Sequence, residues 1–388
     1  MKYKIFIPLV WTLMLMVISS SGSIHAAPEQ NYVIYSDDGF FKVRTDITKE
    51  EVFASGDASL SIQWAIDNIA GKGVEGGEVL MKAGEYPITN SISMKDKIWL
   101  HGEGESTLLY TNGRIKSAIS AQDVSMAVLS DFSLTNKNNG LENPIGIWVD
   151  RCIHCKVLNV FISGFGRGIF NYGDACFTFI NNNTLKNNKT NIDIANGGGV
   201  IGKWLPLLIT ENRISGGETG INCNALCTNI NKNRISDLTG RGIVANGNSI
   251  DVRGNEINNV EGDFAIWGNG QEFNCTGNII YDVKGGGIRT RTRWGSISNN
   301  TIRNCGTENN PAIAILVVSD EDSHEGVAES KVIYNNTIVN LHENVPLKYG
   351  IKEDGIKNVI LDNTIKNVEQ QAILSEGEGT VVVCCTVD

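Results

Sequence analysis

The sequence predicts an all-β chain folded as a single-stranded right-handed parallel β-helix with an N-terminal capping helix, and three observations carry that prediction. The first is a repeated phrase, ITENRI, INKNRI, VRGNEI, CTGNII and ISNNTI, in which an apolar residue is followed by an Asn and then an Ile. Its Asn falls at Asn212, Asn233, Asn255, Asn278 and Asn300, in steps of 21, 22, 23 and 22 residues. The second is a phrase between the copies, GINC at Gly220, GIVA at Gly242, AIWG at Ala265 and GIRT at Gly287. A fixed period holding two short alternating apolar segments is the mark of stacked rungs. The third is composition: 42 Gly and only 7 Pro suit many tight turns without a Pro-rich disordered chain. A leucine-rich repeat would need a Leu ladder that is absent.

Lys2 and Lys4 precede an apolar run, Ile5–Ile18, and small residues lead to His25-Ala26-Ala27. This pattern predicts a secretory signal peptide over residues 1–27, hence secretion to the periplasm or the medium. Loss of the two lysines takes the net charge from −10 to −12. Such an acidic chain is a poor partner for nucleic acid, and no later stretch could span a bilayer. Residues 28–388 then form one β-helix domain, with a cap over about 28–75 and coils over about 76–388. Pro28–Ala54 gives no readable pattern. Asp57 is placed to cap a helix over Ala58–Ala70, with Leu60, Ile62, Ala65, Ile66 and Ile69 on one side. A helix there would cover strand edges that otherwise template aggregation.

The rungs continue before and after the five copies, through LSDFSL, LNVFIS, INNNTL, IYNNTI and ILDNTI. Two steps are longer, 29 residues from Asn183 to Asn212 and 36 from Asn300 to Asn336. The extra residues mark insertions around Gly197–Leu205 and Ser319–Glu329, and insertions in solenoids gather on one, often functional, face. Asn at one place per rung suits a left-handed bend and an amide column that bonds from rung to rung. Nine cysteines invite disulfides in an exported chain. However, Cys223 and Cys275 fall at inward strand positions and read as small core residues. Cys152–Cys155 alone is weak evidence for metal.

With the Ile of each GI unit set at zero and pointing inward, positions +1 and +3 point outward. The +1 column reads Trp148, Phe170, Asp193, Asn222, Val244, Trp267 and Arg289. The +3 column reads Asp150, Tyr172, Ala195, Asn224, Asn246, Asn269 and Arg291. Aromatic rings can stack on sugars, amides can bond hydroxyls, and the cationic end, Arg289, Arg291 and Arg293, can fork onto carboxylates. Such a face suggests an acidic polysaccharide partner. The bland alternative is that the amides serve only turns and ladders, and that the arginines pair with nearby acids.

The run DASLSIQWAIDNIAGKGVEGGEVLMKAGEYPI, followed by Asn-marked coils, resembles the pectate-lyase-like β-helix superfamily from about Asp57 onward. That superfamily holds lyases, glycosidases, epimerases and surface proteins, so the resemblance implies fold more than function. GIRTR (Gly287–Arg291) is similar to the polygalacturonase motif GIRIK. The paired acids of those hydrolases are missing, with ETGI (Glu218–Ile221) and DFAI (Asp263–Ile266) in their place. The Asp-Pro-His-Asp motif of alginate epimerases is absent. DEDSHE (Asp320–Glu325), the nearest thing to a calcium cluster, reads as a solvated loop. No cofactor is implied, and nothing suggests more than a monomer.

A β-elimination needs a neutralised uronate carboxylate, a base for the adjacent proton and an acid for the leaving oxygen. None of the four histidines left after signal cleavage falls on the outward columns. Tyr172 is the only tyrosine that does. Resemblance to β-helix alginate lyases, which use a Tyr and a Lys, assigns Tyr172 and the insertion's Lys203 as catalytic. Arg167, Lys189 and Arg241, just before GI strands, would neutralise the carboxylate, and Asp193, Asn222, Asn224, Asn246, Trp267 and Asn269 would bind sugar. The function expected is a secreted lyase of a uronate polymer, alginate first. The alternatives are a non-catalytic carbohydrate-binding protein and a glycoside hydrolase or transferase.

Overall fold

The computed structural model describes residues 31–387, apart from 72–75, 113–114, 138–143, 174–176, 196–205, 320–327 and 342–346. The signal-peptide stretch, the insertion carrying Lys203 and the DEDSHE segment therefore lie outside the described residues.

From Gly77 onward the chain winds as a parallel solenoid of about 12 turns. Each rung has three short strands. In the first complete rung these are Gly77–Met81, Gly84–Pro87 and Ile92–Ser93. Every strand pairs in parallel with the strand one rung away. The second strands stack into a 13-stranded sheet. First and third strands merge into one sheet, partly because two long strands, Phe264–Thr276 and Gly286–Ser298, run unbroken from a third strand into the next first strand.

The zero-position isoleucines stack as predicted: Ile169, Ile192, Ile221, Ile243, Ile266 and Ile288 are fully buried in one column. Burying such a side chain contributes roughly 1.5–3 kcal/mol, and each rung adds one to this column beside those of its first and second strands, such as Ile230 and Ile235. Cys223 and Cys275 are buried in this core, as their positions required. Burial pushes the Cys223 thiol up to about 12, which leaves it inert. Cys152 and Cys155 are joined as a disulfide, so the metal hint at that pair gives way.

The Asn column closes the corner between first and second strands. Asn255 Nδ2 donates to Asn278 Oδ1 at 3.0 Å and to the Ile230 carbonyl at 2.9 Å. Its own Oδ1 accepts from Asn233 Nδ2 and Asn233 N at 3.0 and 2.9 Å. The same pattern joins Asn183, Asn212, Asn233, Asn278, Asn300 and Asn336. The left-handed backbone, however, sits one residue earlier, at Asn182, Glu211, Lys232, Gly254, Gly277 and Asn299. The column Asn turns its amide into the bend, and the residue before it makes the bend.

The unreadable N-terminal stretch is an antiparallel meander, Tyr32–Asp37, Phe40–Thr45 and Glu51–Ser55, whose first strand also pairs with Gly77–Met81. The helix that follows spans Ala58–Gly71, and Asp57 Oδ1 caps it by accepting from Ser59 N at 2.8 Å. Ile62, Ala65, Ile66 and Ile69 are buried. Leu60 is not on that face: it is 53% exposed, and Ser61 is buried instead with its hydroxyl donating to Phe41 O at 2.7 Å. A hydroxyl can reach a meander carbonyl at that point, where Leu could not.

Candidate active-site face

The outward columns have the register that the GI phrase implies. Trp148 pairs with Phe170, Phe170 with Asp193, Asp193 with Asn222, Asn222 with Val244, Val244 with Trp267 and Trp267 with Arg289. The +3 column runs beside it from Asp150 through Tyr172, Ala195, Asn224, Asn246 and Asn269 to Arg291.

Along the axis the face has three parts. The first is aromatic. Trp148 and Phe170 lie 6.3 Å apart between ring centroids, and Phe170 and Tyr172 5.9 Å. Lys116 Nζ sits 4.1 Å from the Trp148 ring. Phe170 is buried under the Arg167 guanidinium, 4.2 Å away, whereas Tyr172 is 41% exposed. The neighbour of Tyr172 one rung on is the small Ala195. Asp150, on the other side of Tyr172, is buried, and that burial raises its carboxyl above the ordinary range against the pull of Arg151.

The second part is a groove of about 520 Å³ lined by Thr190, Glu218, Thr219, Asn222, Arg241, Val244, Asn246 and Asp263, with Gly240 and Gly262 at its rim. The rim glycines are there because the turns stack too closely for a side chain: a Cβ on Gly262 would lie 2.3 Å from the Gly240 carbonyl. Arg241 grips Asp263 with two bonds of 2.6 and 2.9 Å. Burial pushes the Asp263 carboxyl up, but the bonds and charge of Arg241 outweigh this and hold it below the usual range. Asp193 is buried between Arg167, 3.0 Å away, and Asn222, which donates to it at 2.8 Å.

The third part is cationic. The Arg241 and Arg289 guanidiniums lie 3.8 and 4.8 Å from the Trp267 ring centroid. Arg293 lies 5.7 Å from the ring of exposed Trp294. Among the described residues neither Arg289 nor Arg293 has a carboxylate partner.

The structure thus brings the predicted binding residues onto one face but redistributes their roles. Arg167 and Arg241, expected to meet a substrate carboxylate, are already paired with Asp193 and Asp263. Trp267, expected as a sugar platform, lies against two guanidiniums. Lys189 is exposed and has no ion pair among the described residues. Asn224 is exposed at +3, with Asn246 and Asn269 half-buried beyond it. Glu218 and Asp263 enter as groove-lining acids that the sequence marked only as departures from a hydrolase pattern. Their common signal is a carboxylate shortly before the inward Ile. Among the described residues no group of three His, Cys, Asp or Glu could hold a metal ion.

A family model described as a right-handed beta helix region matches residues 241–388. The chain is a right-handed parallel β-helix. Three solved structures share the fold. A mannuronan C-5 epimerase A-module from Azotobacter vinelandii aligns with a TM-score of 0.68 at 16% identity, over 86% of this chain and 95% of that one. The catalytic unit of a GH87 α-1,3-glucanase from Streptomyces thermodiastaticus gives 0.59 at 16%, over 86% of this chain and 66% of that one. The tailspike protein of E. coli bacteriophage HK620, in complex with a pentasaccharide, gives 0.57 at 11%, over 96% and 71%. No curated protein matches by sequence. At these identities the likeness is one of fold.

Proposed function

We propose that this protein is an exported enzyme that cleaves a uronate polysaccharide, alginate first, by β-elimination. The observation that carries the reading is the exposed Tyr172 phenol beside the small Ala195, with the amides of Asn222 and Asn224 one rung further on. A sugar seated over Ala195 would meet Tyr172 on one side and Asn222 and Asn224 on the other. Lys189, free of ion pairs among the described residues, would neutralise the carboxylate and so acidify the adjacent proton. Tyr172 is the proposed base that takes that proton. The electron pair forms the new double bond, the glycosidic bond breaks, and the leaving oxygen takes a proton from an acid. Lys203 is the proposed acid, and its insertion begins just after Ala195. Alginate is favoured because a structural neighbour is named for mannuronan. Epimerisation of a uronate and β-elimination both begin with loss of the proton next to the carboxylate.

The test is to incubate the purified protein with alginate, polygalacturonate and hyaluronate and follow the ultraviolet absorbance of the unsaturated product. A flat trace on all three ends the lyase reading. One observation favours a second reading, hydrolysis: Glu218 and Asp263 line the same groove two rungs apart, about 10 Å along the axis at the usual strand spacing, near the separation of an inverting acid–base pair. New reducing ends without unsaturation would select it.

A further inference from the structure

We propose that Trp267, Asn269, Arg289 and Arg293 form a separate subsite for a carboxylate-bearing sugar, held four to five rungs from Tyr172, so that the protein grips its polymer over about six units. This deepens the uronate-polymer reading and rests on it for the class of ligand.

Two independent observations meet here. The first is unspent charge. Arg289 and Arg293 project from one continuous strand and, among the described residues, lack any carboxylate, whereas Arg151, Arg167 and Arg241 on the same side of the helix each have one. The second is unspent hydrogen bonding. Trp267 Nε1, Asn269 Oδ1 and Arg289 Nε are buried atoms with no partner among the described residues. They are neighbours: Trp267 and Asn269 lie two apart on one strand, and Arg289 is the register partner of Trp267. Buried polar atoms left unpaired cost free energy, and a cluster of donors and one acceptor beside two cations that have no carboxylate partner among the described residues is what a bound acidic sugar satisfies. The two guanidiniums beside Trp267 hold the indole in place, so the polar atoms around it, rather than its ring face, are what the subsite presents.

Distance gives the length requirement. The steps from Tyr172 to Ala195, Asn224, Asn246, Asn269 and Arg291 make five rungs, about 24 Å at roughly 4.8 Å per strand. A hexose unit in an extended chain is close to one rung long. A sugar at Tyr172 and a carboxylate at Arg289 therefore belong to one chain of about six residues.

The experiment is calorimetric binding of oligouronates of graded length to the full protein and to an Arg289→Ala, Arg293→Ala double variant. A matched hexamer with its carboxyls reduced to alcohols is the third ligand series. The expected result is a rise in affinity of about tenfold as length reaches about six in the wild type, the size of one charge-assisted contact. The rise is absent in the double variant and with the reduced hexamer. A wild type whose affinity shows no step with length overturns the proposal, as does a folded double variant that binds the hexamer normally. If the double variant does not fold, the reduced hexamer decides: equal binding to the native hexamer overturns the subsite. If the length step appears but no unsaturated product ever forms, the subsite stands and the elimination reading falls.

Discussion

Two columns run along this helix, the Asn ladder from Asn183 onward and the third-strand face, and they differ in what they have left over. At the first corner every Asn amide is satisfied by its own rungs: Asn255 gives both amide protons to protein acceptors and receives two bonds on its oxygen. On the third-strand face the backbone register is just as regular, yet the residues change from rung to rung and several polar atoms have no partner. Repetition satisfies hydrogen bonds internally, and its interruption leaves groups for a ligand. The corner column is therefore expected to govern stability and the face to govern activity.

The largest test of that division is Tyr172→Phe. Removing a general base costs on the order of 10²–10⁴ in rate, so polymer cleavage should fall at least a hundredfold while the melting temperature stays within a degree or two. Full activity in the variant would move the chemistry elsewhere on the face. The converse test is Asn255→Ala, which takes the acceptor from the Asn233 backbone and side-chain N–H groups and a donor from Ile230 O and Asn278 Oδ1. It should cost about 2–4 kcal/mol in urea unfolding, against within about 0.5 kcal/mol for the exposed Asn224→Ala. Equal losses in the two would erase the distinction.

A third prediction concerns a polar group in the core that belongs to neither column. Lys331 is fully buried, bonded to the Thr292 hydroxyl and, at 3.1 Å, to the Trp294 carbonyl. Burial pushes its amine down to about 7, with the nearby Cys275 pulling weakly the other way. The unfolded chain then holds this proton up to the ordinary lysine range near 10.5, while the folded chain has released it. Stability should rise with pH from about 7 to about 10 and be lower and flat, for this group, below 7. Lys331→Met should remove the rise, a change on the order of 2 kcal/mol in melts at pH 6 and pH 9. An unchanged slope would place the amine in contact with water. The smallest effect is expected at the capped end. Asp57→Ala should cost about 1 kcal/mol in chemical denaturation, because Asp57 holds the Ser59 amide and the Thr89 hydroxyl but no rung of either column.

What the sequence determined by itself was the rung. A fixed spacing of Asn and of Gly-Ile units sets which residues stack, because parallel strands repeat at one spacing and side chains alternate strictly in and out. The columns from Trp148 to Arg289 and from Asp150 to Arg291 were legible for that reason, as was the Asp57 cap. The tertiary structure alone decided how side chains on adjacent rungs spend their charge. Arg167 meets Asp193, Arg241 meets Asp263, and Arg289 lies over the Trp267 ring with no carboxylate among the described residues. It also decided that the left-handed residue precedes each ladder Asn, that Leu60 faces outward, and that Cys152 and Cys155 join. Register follows from a period, but a pairing between long flexible side chains depends on reach and direction in three dimensions, which residue spacing along the chain does not specify.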